Sequence, residues 1–147
     1  MRRLGALLLA STLTLGLAAC GGGSDAGQEL SDEPVTLRFT WWGSDARHQR
    51  TQQVIDLFQK EHPTITVKGE FKDWNGYWES LATTVAANDA PDVIQMDELY
   101  LASYAERGAL LDLGTANKYL KTGDFDNEAL ATGHVGGKQY ALPVGLA

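Results

Sequence analysis

"VTLRFTWWGSDARHQRTQQVIDLFQKEHPTITVKGEF", residues 35–71, changes its apolar period twice, and those changes decide the fold. Val35, Leu37, Phe39 and Trp41 fall on one side of an extended chain, and Thr36, Arg38 and Thr40 on the other. That alternation predicts a strand over 35–41 with one strongly apolar face. The spacing then moves to three and four, with Thr51, Val54, Ile55 and Phe58 on one stripe, which predicts a helix over 45–61 capped by Asp45 or Ser44. His62-Pro63 stops it, because a residue before proline avoids helical angles. Alternation returns over 64–71, with Ile65, Val67, Gly69 and Phe71 on one face.

The same rhythm continues downstream. Trp74, Trp78, Leu81 and Val85 give helical spacing over 73–89, and "PDVIQMD" supplies a short apolar strand over 93–96. "ELYLASYAERG" predicts a third helix with Leu101, Tyr104 and Ala105 inward and Gly108 as its C-cap. A fourth helix is expected around 115–132, and "KQYALPV" reads as a last extended segment after a turn at Gly136-Gly137. Strand, helix, strand, helix, strand, helix is the order of an α/β domain, a mainly parallel sheet flanked by helices.

In such sheets ligands sit beyond the carboxyl ends of the strands. Those ends carry Trp41-Trp42-Gly43-Ser44-Asp45, then Phe71-Lys72-Asp73-Trp74, then Met96-Asp97-Glu98. Aromatics and carboxylates therefore share one rim. An indole offers a flat apolar face that matches the C–H face of a sugar ring, while carboxylates, arginine and backbone amides meet its hydroxyls. Asp45, Arg47, Asp73 and Asp97 are the polar candidates, and Trp41, Trp42, Trp74, Tyr77 and Tyr100 the stacking ones. Each has a plainer reading: Trp41 continues a core face, Asp45 and Asp97 are natural helix caps, Arg47 suits a solvated helix, and Trp78 falls on a packing stripe.

The ends of the chain say where it works. "MRR" followed by "LGALLLASTLTLGLAA" is a basic head and an apolar run too short to span a bilayer comfortably. It runs into "LAAC", residues 17–20, and then "GGGSDAG", which resembles a bacterial lipoprotein signal with its lipobox. The expectation is a signal peptide over 1–19, a lipid anchor on Cys20, and a flexible Gly/Ser tether over 20–33. Cys20 is the only cysteine, so no internal disulfide and no cysteine metal cluster can form. An ordinary secretory signal that happens to end near a cysteine is the alternative. The place of work is then extracytoplasmic, at a membrane surface. A net charge of −7, made more negative by loss of Arg2 and Arg3, argues against nucleic acid as partner. The closing "GGKQYALPVGLA" reads as a strand entering further structure, and the chain is expected to be an N-terminal fragment of a longer one.

Three other chemistries compete with this one. A secreted glycoside hydrolase would use Asp45 and Asp97 as acid and base, but nothing in the sequence fixes the separation such a pair needs. A metal receptor is disfavoured because His48, His62 and His134 lack ligand spacing. A lipoprotein acting only on other proteins fits the acidic surface but gives the rim aromatics no purpose.

Residues 35–71 as quoted, then "YWESLATTVAANDAPDVIQMDELYLASYAERGALLDL" (77–113), then "GGKQYALPVG" (136–145), resemble the start of a bacterial extracellular solute-binding protein of family 1, the sugar-binding lipoprotein of an ABC importer. The resemblance implies a periplasmic-binding-protein-like (type II) N-terminal lobe over 34–147, incomplete near the hinge, with the second lobe missing. It implies a monomer that binds a mono- or oligosaccharide and delivers it to ABC permease subunits, with no cofactor, no metal and no catalysis. By motif position it points to Trp42, Asp45, Arg47 and Asp97 as ligand residues, with Trp41, Ser44, Asp73 and Tyr77 behind them.

Overall fold

The structure is a computed structural model that describes residues 31–145. The signal peptide, Cys20 and nearly all of the tether expected from the sequence lie outside the described residues. β1 (Val35–Trp42), α1 (Asp45–Glu61), β2 (Ile65–Lys72), α2 (Trp74–Ala86), β3 (Val93–Ile94) and α3 (Glu98–Glu106) follow the rhythm of the sequence closely. The strands form one parallel sheet in the order β2-β1-β3. β1 and β2 pair from Val35↔Ile65 to Trp42↔Lys72, while β3 meets β1 only at Phe39↔Val93 and Thr40↔Ile94. β3 is shorter than the apolar run 93–96 suggested, because after Ile94 a single Gln95 N–H to Thr40 O bond of 3.0 Å carries on the ladder.

Each face of the sheet meets a different helix. Trp41 lies on the α1 face, its ring 5.6 Å from that of His48, which in turn stacks on Phe71 at 4.5 Å. Trp41 fits because Gly69 lies beneath it: a Cβ there would stand 2.6 Å from the indole Cη2. Trp42, one residue on, turns to the opposite face and meets Tyr77 of α2 at 5.1 Å. The main core lies on that side. Tyr77, Leu81 and Tyr104 are buried, with Trp42, Trp78, Val85, Ile94, Met96, Ala109 and Leu110 packed around them. Burial of such side chains contributes about 1.5–3 kcal/mol each.

On the α1 face only part of the predicted stripe is covered. Ile55 is buried, but Val54 is 60% exposed and Phe58 36%. Both border an apolar hollow of about 220 Å³ that Leu37, Phe39, Val67 and Val93 complete.

The segment after α3 departs from expectation. In place of one helix over 115–132 there is a 3₁₀ turn, Leu113–Ala116, and a short α4 (Asn127–Ala131). Asp112 caps the first by accepting from Gly114 N–H, and Asp126 caps the second by accepting from Glu128 and Ala129 N–H. Two caps with Gly123 between them favour two starts over one long helix. Of the extended segment expected over "KQYALPV", only Lys138–Gln139 is a strand, β5, which pairs antiparallel with β4 (His134–Val135) in a small hairpin. Its Gly136-Gly137 turn has φ of +59° and +81°, the left-handed pair that a two-residue hairpin requires.

Candidate functional site

The loop after β1 is built for close approach. Gly43 has φ +152°, and a Cβ there would run into the aliphatic part of Arg47. Arg47 is thereby laid back over the loop, and its Nη1 donates to Trp42 O at 3.4 Å. Ser44, not Asp45, is the N-cap of α1, accepting from Arg47 N–H. Asp45 occupies the exposed first turn, where a carboxylate faces the positive end of the helix dipole.

The loops after β2 and β3 repeat the pattern. Asp73 caps α2, accepting from Gly76 N–H at 2.7 Å, and Asp97 caps α3, accepting from Leu99 N–H at 3.0 Å. Because β1 is central, Asp73-Trp74 and Asp97–Tyr100 approach Trp42 from its two sides. Trp42 meets Trp74 edge-on at 5.2 Å, Trp78 at 5.5 Å and Tyr77 at 5.1 Å; Trp78 lies 4.1 Å from Tyr100. The rim thus holds an aromatic cluster between three polar helix caps. Asp97 is half-buried and borders a cleft of about 380 Å³, lined on its other side by Thr132, Gly133 and residues 141–145.

Two of the predicted ligand residues are not at the surface. Trp41 and Tyr77 are each 1% exposed, so neither ring has a face free for a solute. Trp41 is held in the sheet–α1 layer, where its Nε1 and His48 Nδ1 are buried without a hydrogen-bond partner. Tyr77 is a strut: its hydroxyl donates to Gln95 O, and burial pushes its phenol well above the usual range. Trp42, Ser44, Asp45, Arg47, Asp73 and Asp97 all keep surface at the rim.

Gln95 is a positioning residue that the sequence reading passed over. Its side-chain oxygen accepts from Trp42 N–H at 3.4 Å while its backbone oxygen accepts from the Tyr77 hydroxyl, so it ties the β1 and β3 ends together. A polar residue inside the apolar run "VIQM" was the available signal. Among the described residues no group of three or more His, Cys, Asp or Glu side chains is arranged to hold a metal ion.

The sequence pattern of the bacterial extracellular solute-binding proteins matches residues 44–147. The chain belongs to that family. It is 29% identical to the diacetylchitobiose binding protein DasA of Streptomyces coelicolor, over 97% of this chain and 34% of that one. It is 31% identical to an uncharacterized lipoprotein of Streptomyces antibioticus, over 92% of this chain and 29% of that one. A solved periplasmic oligogalacturonide binding protein from Yersinia enterocolitica superposes with a TM-score of 0.69 at 34% identity, over 74% of this chain and 27% of the other. The chain spans about a third of the length of the curated relatives it matches. The fold is that of a partial α/β lobe of such a protein, and the family places its members outside the cytoplasm.

Proposed function

We propose that this chain supplies the N-terminal lobe of the substrate-binding component of an ABC importer, and that its cargo is a carbohydrate. In this reading residues 1–19 are a signal peptide, Cys20 carries a lipid that holds the protein to the membrane, 20–33 is the tether, and 34–147 is the lobe. The observation that carries the reading is the meeting of aromatic rings with carboxylate-capped helix starts at the carboxyl rim of a parallel sheet. Relatives named for diacetylchitobiose and oligogalacturonide support the ligand class.

Trp42 offers ring surface, Asp97 and Asp73 accept hydroxyl protons, and Asp45, Arg47 and Ser44 line the adjoining loop. Trp41 and Tyr77 serve from the interior, by fixing the backbone that presents these groups. The protein is a monomer and not an enzyme: stacking and hydrogen bonds favour a closed form, which the permease subunits read. The test is titration of the full-length protein, carrying Cys20→Ala, with a panel of mono- and oligosaccharides, followed by tryptophan fluorescence. One saturating sugar is expected, with affinity weakened more than about tenfold by Trp42→Ala and by Asp97→Ala, a loss of about 1.4 kcal/mol or more. Silence across the panel from folded protein would refute the carbohydrate reading.

A further inference from the structure

The cleft beside Asp97 has two sides of different construction. One is the stretch that runs from β3 into α3, with Met96, Asp97, Glu98 and Leu101. The other is residues 141–145, which belong to no helix or strand, together with Thr132 and Gly133. A wall with no ladder or helix of its own takes its position from whatever holds its first residue.

That residue is Ala141. Its N–H donates to Gly133 O at 3.3 Å, beside Tyr140 N–H, which donates to the same oxygen at 2.9 Å. Its own oxygen accepts from Gln139 Nε2, and that nitrogen also donates to Leu130 O, near the end of α4, at 3.1 Å. A side-chain amide carries two N–H donors, so Gln139 uses both on these two carbonyls. Successive side chains of a strand point to opposite sides. Lys138 accordingly pairs with Asp112 Oδ2 at 3.4 Å, fastening β5 to the cap of the 3₁₀ turn, while Gln139 reaches α4. Gly133 has no side chain where these groups meet, and a Cβ there would collide with Ala141 O and Gln139 Nε2.

The two carbonyls depend on Gln139 to different degrees. Leu130 O also accepts from Gly133 N–H at 3.0 Å, so the end of α4 keeps a partner without the side chain. Among the described residues, Ala141 O takes its hydrogen bond from Gln139 alone. Loss of the amide therefore releases the wall and spares the helix.

We propose that Gln139 is a positioning residue for the cleft: its amide clamps Ala141 to the end of α4, fixes residues 141–145 opposite Asp97, and so sets the affinity for the ligand. The proposal rests on the reading that this cleft takes part in carbohydrate binding. A ligand that meets a wall already in place loses less free energy in ordering it.

The test uses the full-length protein carrying Cys20→Ala, with spin labels at Leu99→Cys and Val144→Cys. These positions are 83% and 95% exposed, one on α3 and one on the wall. Electron paramagnetic resonance then gives the spread of label distances with no ligand present. Gln139→Met keeps the chain length and removes both donors. Gln139→Glu keeps the shape and sets a carboxylate against two carbonyl oxygens. Both variants are expected to broaden the distribution, Gln139→Glu the more. The binding probes, without labels, are glucose, N-acetylglucosamine and galacturonic acid and their 1,4-linked di- and trimers. Affinity for whichever of them binds is expected to fall at least about fivefold in Gln139→Glu, since the loosened wall must be ordered on binding. A distribution that neither variant broadens overturns the clamp, even if the unfolding midpoint falls, because a merely structural role would lower the midpoint alone. A broadened distribution with unchanged affinity overturns the bearing of Gln139 on binding. If none of the sugars binds, the carbohydrate reading fails, and the label distances still decide the clamp.

Discussion

Replacing Tyr77 by Phe tests the link between the core and the rim. The Tyr77 ring is 1% exposed, and its hydroxyl donates to the backbone oxygen of Gln95, whose side chain holds Trp42 N–H. Phe keeps the ring and its contacts with Trp42 and Trp78 but removes the donor. A buried carbonyl left without its partner costs about 1–3 kcal/mol, so urea unfolding at pH 7 should show a loss in that range. The pH dependence adds a second, independent readout. Burial raises the folded-state pKa of Tyr77, so the folded protein keeps its proton when the unfolded chain has begun to lose it. The unfolded state then binds fewer protons, and stability falls as pH rises. The contribution is complete below about pH 10, the ordinary tyrosine value, and is lost above it at up to about 1.4 kcal/mol per pH unit. Tyr77→Phe should remove this part of the alkaline decline, while Tyr104, which burial also raises, keeps its own. Stability curves of wild type and variant that stay parallel from pH 9 to 11 would refute the reasoning, as would equal stability at pH 7.

Gly69→Ala should cost about 1–3 kcal/mol and change the near-ultraviolet dichroism of Trp41, because a Cβ at Gly69 would stand 2.6 Å from that indole. An unaltered spectrum would show that Trp41 does not rest on Gly69. Gly133→Ala places a Cβ against the backbone oxygen of Ala141, and Gly133 O already accepts from Tyr140 and Ala141 N–H. The segment 141–145 that borders the Asp97 cleft must then shift, so both sugar affinity and the unfolding midpoint should fall; loss of neither would show that this segment adapts freely. Asp97→Ser keeps a good helix cap and should change stability by less than about 0.5 kcal/mol while weakening sugar binding more than about tenfold, about 1.4 kcal/mol. If stability and binding fell together, Asp97 would be acting through the fold alone.

Periodicity made the first two-thirds of the lobe legible. α1, β2, α2 and α3 each set an apolar side against a polar one, and β1, covered on both faces, sets large apolar side chains against smaller polar ones; the chain writes those asymmetries as a period of two or of three and four. Residues 109–145 lack it. Strands of two residues have no alternation to read, and α4 is shorter than two helical turns, so local caps and glycines decide their limits. The position of the rim was equally legible, since parallel topology dictates which loops share an edge. Depth was not. Trp41 is buried because of what stands opposite it in β2, and only the register of that pairing brings Gly69 and Phe71 beneath the indole. Trp74 and Trp78 share one helical stripe, yet Trp74 remains 40% exposed because it is the first residue of α2, at the lip of the sheet.

At the rim, capping a helix and binding a ligand are compatible uses of one side chain. Asp97 read as a helix cap or as a ligand residue, as though one use excluded the other. In the structure it is a cap, and that use occupies Oδ1 alone through Leu99 N–H. A carboxylate has a second oxygen, and a cap fixes where that oxygen points, since the side chain cannot turn without releasing the helix. The same holds for Asp73, whose Oδ1 is committed to Gly76 N–H. A side chain held in this way loses little further rotamer freedom when a hydroxyl binds it, so less of the interaction is spent on ordering. Capping is therefore the device that would make a short carboxylate a precise ligand group on a surface rim. Asp45 stands in contrast, exposed in the first turn of α1 with Ser44 as the cap. Of the three aspartates, Asp97 and Asp73 should thus contribute more per hydrogen bond to sugar affinity than Asp45. Substituting each by serine in turn would rank them.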